Sequence, residues 1–370
     1  MDRAIWLLGL AVVAAACSEQ APVAEDLPIT PEPAEKEDLY EFTDDSTFEP
    51  IGPASEGDDQ TSDVAAISDD GVVFRFVGPF EGGAALVEED DFTANLQPRE
   101  IALRTQSLEG ASFDHMVPLY KDDVFAWPAD QKAALAAVIE ESLPVINQID
   151  QHLPDEVLLI LTGAVVEGGL PHTRRQSIIF AGGGFPVPGV DDPGGEMLQA
   201  LFLHELHHVL SRANSDQHDA YYRLIGFMPC ALEEPEGLRA VRLTNPDAPT
   251  YAHYAPVPVE GADGVVPFLH TAHSFTKEVP SRLGDVFSFG LIPVRYANGV
   301  CSPEIGDAAG LLDPINVPGF AELSGGNTDY LIHPEETLAD NFVYWAMGRT
   351  DLPSPEIPEA VGRFWLRLED

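Results

Sequence analysis

Positive charge is what this chain has least of. Against 62 Asp and Glu stand 19 Lys and Arg, and the lysines are only Lys36, Lys121, Lys132 and Lys277. The formal net charge of −43 argues against nucleic acid as a partner, since phosphate binding needs a basic surface. Such an acidic surface fits either a saline habitat or an exported protein kept soluble by its charge. Cysteine is scarce too: Cys17, Cys230 and Cys301 are all there are. They lack Cys-x-x-Cys spacing and have no histidine pair nearby, which argues against zinc held by cysteine. Ala4 to Ala16 is uncharged and mostly apolar, but too short to span a bilayer as a mature helix. There is no internal repeat. The 370 residues suffice for one large domain or two modest ones.

The N-terminus reads as a targeting segment, with Arg3 before the apolar stretch. Ala14-Ala15-Ala16-Cys17 resembles the lipobox of bacterial lipoproteins, with alanine where leucine is usual. The resemblance implies removal of residues 1–16, lipid on Cys17 and attachment to the bilayer. With Ser18 next, it implies the outer membrane of a Gram-negative envelope, facing the periplasm. Residues 17–63 are rich in Pro, Glu, Asp, Ser and Ala and read as a disordered acidic tether. With Cys17 lipidated, Cys230 and Cys301 remain. An oxidising periplasm favours a disulfide between them over two separate buried thiols.

What the chain does have is a concentration of histidine at His204-Glu205-Leu206-His207-His208, an H-E-x-x-H match. On a helix, positions i and i+4 share a face, so His204 and His208 can bind one metal ion. Glu205 sits one step round, within reach of a water on that metal. Asp192 suits an N-cap and Pro193 a first helical turn. Met197, Leu198, Leu201, Phe202, Leu203, Leu206, Val209 and Leu210 cover nearly the whole circumference, so the helix is expected to be buried. Buried histidines need partners. A metal supplies them; so would neighbouring side chains in an ordinary core helix. His207, three from His204, offers another ligand pair but leaves Glu205 without a role.

Around this helix the pattern predicts ordered structure from about Val64. A strand is expected over 71–77, then short strands and loops over 86–125, making 64–127 a β-rich segment. A helix is expected from Pro128 to about His152, with Pro144 as a kink or boundary. Strands follow at 157–161 and 176–180. Beyond the histidine helix, 220–227 continues helically and Asn245-Pro246-Asp247 is turn-like. The stretch 251–330 holds short strand-like runs such as Val286–Phe289 and Leu291–Val294. A helix begins at His333-Pro334 and stops near Gly348. A last amphipathic helix runs over 354–368. Glu336 and Asp340, four apart, share a face of the His333 helix. A solvated face or a capping pair is the alternative reading of those two carboxylates.

A backing helix, a small sheet and an H-E-x-x-H helix, in that order, resemble the zincin metallopeptidases. Glu336-x-x-x-Asp340 is similar to the E-x-x-x-D of the gluzincin branch. The resemblance implies an α+β, zincin-like fold over 128–370. It would comprise a small mixed sheet with backing and active-site helices, a mostly helical C-terminal part and an insertion near 231–330. It implies Zn2+ on His204, His208 and Glu336, with Asp340 supporting a histidine through its other nitrogen. Glu205 would be the general base in peptide-bond hydrolysis. An edge strand would bind peptide or protein substrate by strand addition, and by order that strand is 176–180. Tyr330, His333, Tyr344, His172 and Arg174 are candidate oxyanion donors. The gap departs from the usual pattern, since Glu336 comes 128 positions after His208. Glu233, Glu234 and His218 are nearer alternatives for the third ligand. Asn214 stands where a metzincin would place its third histidine. Two rival functions remain: a catalytically inactive zincin-like binding module, and a metal hydrolase of non-peptide substrates.

Overall fold

The computed structural model describes residues 64–107, 111–186, 192, 194–271 and 286–367. The leader, Cys17, the tether and Pro193 lie outside the described residues.

The chain is mixed α and β. The first sheet contains β1 (Val64–Ile67), β2 (Val73–Phe76), β3 (Val124–Phe125), β4 (Glu156–Thr162), β5 (His172–Arg174) and β6 (Ser177–Ala181). Its order is β1-β2-β4-β6-β5, with β3 also paired to β4. β2, β4 and β6 run parallel, while β1, β3 and β5 are antiparallel to their neighbours. Side chains alternate between the two faces, as strand geometry requires. Leu159, Leu161, Ile178 and Phe180 join Leu135, Ile139, Phe202 and Leu206 in the main core. Leu158, Ile160 and Ile179 join Leu86, Ile101, Met116 and Tyr120 on the opposite face. Covering both faces explains why β4 reads as a continuous apolar run.

The layer on that opposite face was not visible in the sequence pattern. Residues 86–125 hold one short strand, β3, but are otherwise mostly helical: helices occupy Pro79–Leu86, Asp91–Asn95, Pro98–Thr105 and Phe113–Asp122. Each is too short for a clear period. Their signals are instead local, with Pro at the start of two of them and reciprocal caps Asp90–Thr93 and Gln97–Glu100. Gly82 reads as a breaker, yet it is where this layer meets the sheet. A Cβ there would lie 3.1 Å from Val124 and 3.2 Å from Ile160.

A backing helix, Ala129–Ile146, keeps Pro144 within its last turn. The histidine helix, Glu196–Ala213, begins after Gly195 (φ +73°), later than a cap at Asp192 would place it. Asp192 still acts on that end, because its Oδ2 accepts from the Leu198 amide at 2.9 Å. A second correction concerns the sheet edge. The strand near 176–180 lies between β4 and β5, so β5 is the edge beside the histidine helix. The β5–β6 hairpin turns through Arg175 (φ +51°) and Gln176. That pair lacks the Asn-Gly or Asp-Gly signature of a two-residue turn.

Beyond the histidine helix the chain builds a four-stranded sheet and a separate two-stranded pair. β7 (Met228–Pro229) pairs with β9 (His253–Tyr254). β8 (Ala231–Leu232), β10 (Gly264–Thr271), β11 (Phe287–Ala297) and β12 (Val300–Pro303) form the order β10-β11-β12-β8. The two apolar runs at 286–294 lie within the single long span of Val286 and β11. Cys230 and Cys301 are joined in a disulfide in this sheet's own core. With the two cysteines 71 positions apart, the chain-entropy model assigns the bond about 4 kcal/mol. A Cys230→Ala, Cys301→Ala double variant is therefore expected to lose about that much in denaturant unfolding. Stability equal to the parent would contradict the assignment.

The chain closes with a carboxylate helix, Pro334–Ala346, and a final helix, Glu356–Trp365. His333 caps the former, its Nδ1 accepting from the Glu335 amide at 3.1 Å. The carboxylate helix packs against both the histidine helix and the final helix.

Candidate metal centre

The i, i+4 spacing on the histidine helix does what its geometry allows. His204 and His208 turn their rings to one side, with centroids 4.8 Å apart. Facing them is the first turn of the carboxylate helix. His204 Nε2 lies 3.1 Å from Glu336 Oε2, and His208 Nε2 lies 3.3 Å from the same oxygen. The opposite nitrogen of each ring is held by another carboxylate. His204 Nδ1 is 3.1 Å from Asp340 Oδ1, and His208 Nδ1 is 3.1 Å from Glu335 Oε1. These carboxylates are themselves anchored. Thr328 donates to Asp340, while Ser211 (2.8 Å) and Tyr222 (2.7 Å) donate to Glu335. Asn245 donates to Glu336 Oε1, leaving Oε2 to the two imidazoles.

All of these ligand side chains are buried. Ligand atoms of His204, His208 and Glu336 lie within 4.8 Å of one another, the arrangement a metal ion requires. Three buried atoms in this cluster lack a hydrogen-bond partner: His207 Nδ1, His208 Nε2 and Glu205 Oε2. Buried polar atoms are seldom left so, because each loses its water without replacement. The donor set fits a divalent cation with one open position: two imidazole nitrogens and one carboxylate oxygen, with a free carboxylate alongside.

The charges in the cluster are strongly coupled. Burial alone would lower His204, but its hydrogen bonds to Asp340 and Glu336 outweigh that and hold it at about 10. Burial opposes ionisation of Glu336, yet His208 and His204 keep it well below the usual carboxylate range. Burial, reinforced by the Asp247 carboxylate, pushes Glu205 up to about 8. His207 behaves differently. Burial takes it down to about 3, so it is neutral, and its Nε2 pairs with the Tyr221 hydroxyl at 2.8 Å. His207, His208 and Glu335 also come close together. Glu335 is already committed to Ser211, Tyr222 and His208, with His207 Nδ1 farther off at 3.5 Å, and the His207 ring packs against Tyr221, Phe342 and Trp365.

The nearer alternatives for the third ligand are elsewhere. Glu233 accepts from Ser302, Glu234 pairs with Arg242, and His218 lies against Ser211. Most of the oxyanion candidates have structural employment. His333 is the helix cap, Tyr344 donates to Asn327 O, His172 bonds to Leu170 O, and Arg174 pairs with Asp90. Tyr330 is the one at the centre, its ring centroid 6.1 Å from that of His204. Burial and the surrounding carboxylates, Glu336 first, raise its pKa well above the usual phenol value, so its hydroxyl stays protonated.

Sequence reasoning missed three members of the site: Glu335, Asn245 and Asp247. Glu335 is adjacent to Glu336 and its role depends on which ring it backs. Asn245 and Asp247 read only as a turn, and so they are, with the Asp247 amide donating to Asn245 Oδ1 at 3.0 Å. The turn is brought to the centre by distant partners. Glu100, 144 residues away, accepts from the Thr244 amide and hydroxyl, and Arg104 donates to Thr244 O. Arg104 is in turn paired with Glu167 at 2.7 Å.

Comparison with protein-family models, curated proteins and solved structures finds no match to this chain. The functional reading therefore rests on the geometry of the site.

Proposed function

We propose that this protein is a zinc-dependent peptidase with a zincin-like fold and a gluzincin-like ligand set. His204, His208 and Glu336 hold Zn2+, Asp340 and Glu335 orient the two imidazoles, and Glu205 is the general base. One observation carries the reading. Two imidazoles converge on one carboxylate oxygen while Glu205, on the same helix, keeps a buried oxygen without a partner beside them. A purely structural metal site has no use for that fourth group, which speaks against an inactive binding module.

A zinc ion there would polarise a carbonyl and bring a water's pKa toward about 7. Glu205 takes a proton from the attacking water as the carbon–oxygen bond forms. It then delivers that proton to the leaving nitrogen as the carbon–nitrogen bond breaks. Tyr330, protonated and partly buried, would donate to the carbonyl oxygen as it gains charge. Asp340 and Glu335 hold each imidazole by Nδ1 and so present Nε2 to the metal. Polypeptide is favoured as substrate because a general base beside a polarised carbonyl suits an amide bond, whose leaving nitrogen has to be protonated.

The test is hydrolysis of a mixture of unstructured peptides by the full-length, zinc-loaded protein, read as new α-amino groups. Activity should vanish with a chelator and return with Zn2+. A zinc-bound protein that generates no new termini would overturn the reading. We also propose that Cys17 carries lipid and tethers the domain to the outer membrane. Cys17→Ser is expected to shift the protein from the membrane to the soluble fraction. Mass spectrometry showing an unmodified, soluble N-terminus in the parent would contradict it.

A further inference from the structure

Asp247 reaches both the sheet edge and the centre of the site. Its Oδ1 accepts from the Thr173 amide at 2.7 Å and the Thr173 hydroxyl at 2.6 Å. Thr173 is the middle residue of β5, and an outward amide on an edge strand is what an added peptide strand would use. Here that amide is already taken, so an extended chain cannot run on past Thr173. The obstruction is built in. Thr244 is bound by Glu100 and Arg104, Arg212 Nη2 donates to Pro246 O at 3.2 Å, and Asn245 donates to Glu336. These contacts fix the turn to the outer helix layer, the histidine helix and the carboxylate helix together.

A fixed wall beside the metal ligands implies that the substrate chain ends there, and charge decides which end. A carboxylate oxygen of Asp247 lies within 4.8 Å of ligand atoms of both Glu205 and His208. Among the described residues, every hydrogen bond to the Asp247 carboxylate goes to Oδ1. Its side chain is only 8% exposed, and Arg212, its one arginine partner among the described residues, stands 4.0 Å from that same oxygen. Glu205 Oε2 is buried and unpartnered next to it. A C-terminal carboxylate would be repelled by the Asp247 carboxylate, whereas an ammonium group would be matched by it and could donate to Glu205 as well. The spacing agrees. In a peptide the α-nitrogen is two bonds, about 2.5 Å, from its own carbonyl carbon. With that carbonyl at the metal ligands, the ammonium falls within hydrogen-bond reach of a carboxylate standing this close to Glu205.

We propose that Asp247 binds the free α-ammonium group of the substrate, and that the enzyme removes single residues from the amino end of peptides. The inference rests on the metallopeptidase reading and adds the substrate class to it.

The experiment uses the full-length zinc-loaded protein and one peptide in two forms, with a free or an acetylated amino terminus. Products are identified by mass spectrometry. The free form is expected to lose its first residue, and acetylation to lower kcat/KM by about 100-fold or more. Asp247→Asn should keep its zinc, raise KM for the free form and narrow the gap between the two. In the Glu205→Gln variant, calorimetry should show tighter binding of the free form than of the acetylated one. Internal cleavage of the acetylated peptide at an equal rate would overturn this inference and leave the peptidase reading intact. No cleavage of either form by zinc-bound protein would overturn both. Loss of zinc from Asp247→Asn would make Asp247 a ligand and overturn the ammonium assignment.

Discussion

Glu205→Gln is expected to keep its zinc and to lose hydrolysis by about 10²–10⁴-fold, the usual contribution of a positioned general base. The two halves of this expectation come from different atoms. Zinc should be retained because His204, His208 and Glu336 are the proposed ligands, and Glu205 is one step round the helix from the face that His204 and His208 share. Hydrolysis is lost because the amide of Gln fills the same space without a site to receive a proton. Burial should not confound the comparison, since Gln is isosteric and uncharged in a position where burial already opposes the charge of Glu205. Zinc content and peptide turnover measured on the same preparation check both halves. Unchanged turnover would remove Glu205 from the mechanism, and lost zinc would make it a ligand.

Glu336→Ala carries the largest expected effect on the metal itself. Its Oε2 is the atom on which both imidazoles converge, and without it only two imidazole nitrogens remain. Zinc binding should fall below what a competing chromophoric chelator can detect. The neighbours grade the result. Asp340→Ala and Glu335→Ala are each expected to weaken zinc by about 10–100-fold, as groups that hold a ligand from behind. Position 335 is informative because sequence pattern alone makes it a neutral neighbour of Glu336. The structure places it against Nδ1 of His208 instead. Full zinc affinity in Glu336→Ala would show that another residue is the third ligand.

The parts of the site differ in how far the sequence revealed them. His204, Glu205 and His208 were legible because one helical turn relates them, and that relation is local. Glu336 and Asp340 were legible for the same reason within their own helix, although His204 is 132 residues from Glu336. Their meeting with the histidines was inferred from chemical need and from resemblance, not from any pattern linking the two helices. Asn245 and Asp247 could not be read in this way. Their turn chemistry is local, but their place at the centre depends on Glu100, Arg104 and Thr173, which no periodicity connects to them. β5 escaped notice because His172, Thr173 and Arg174 are polar residues buried by their partners. The helices of 79–122 escaped because glycine and proline interrupt an already short pattern. The disulfide was expected from compartment and count, whereas the sheet around it depends on a parallel pairing of Ala231 with Val300 that spans distant sequence.

The most direct measurement is zinc uptake by the full-length chain after complete removal of metal by a chelator. Elemental analysis of the reloaded wild-type protein should find one zinc ion per chain, and none above background in His204→Ala or Glu336→Ala. A wild-type protein that takes up no more zinc than Glu336→Ala would contradict a metal centre at His204, His208 and Glu336.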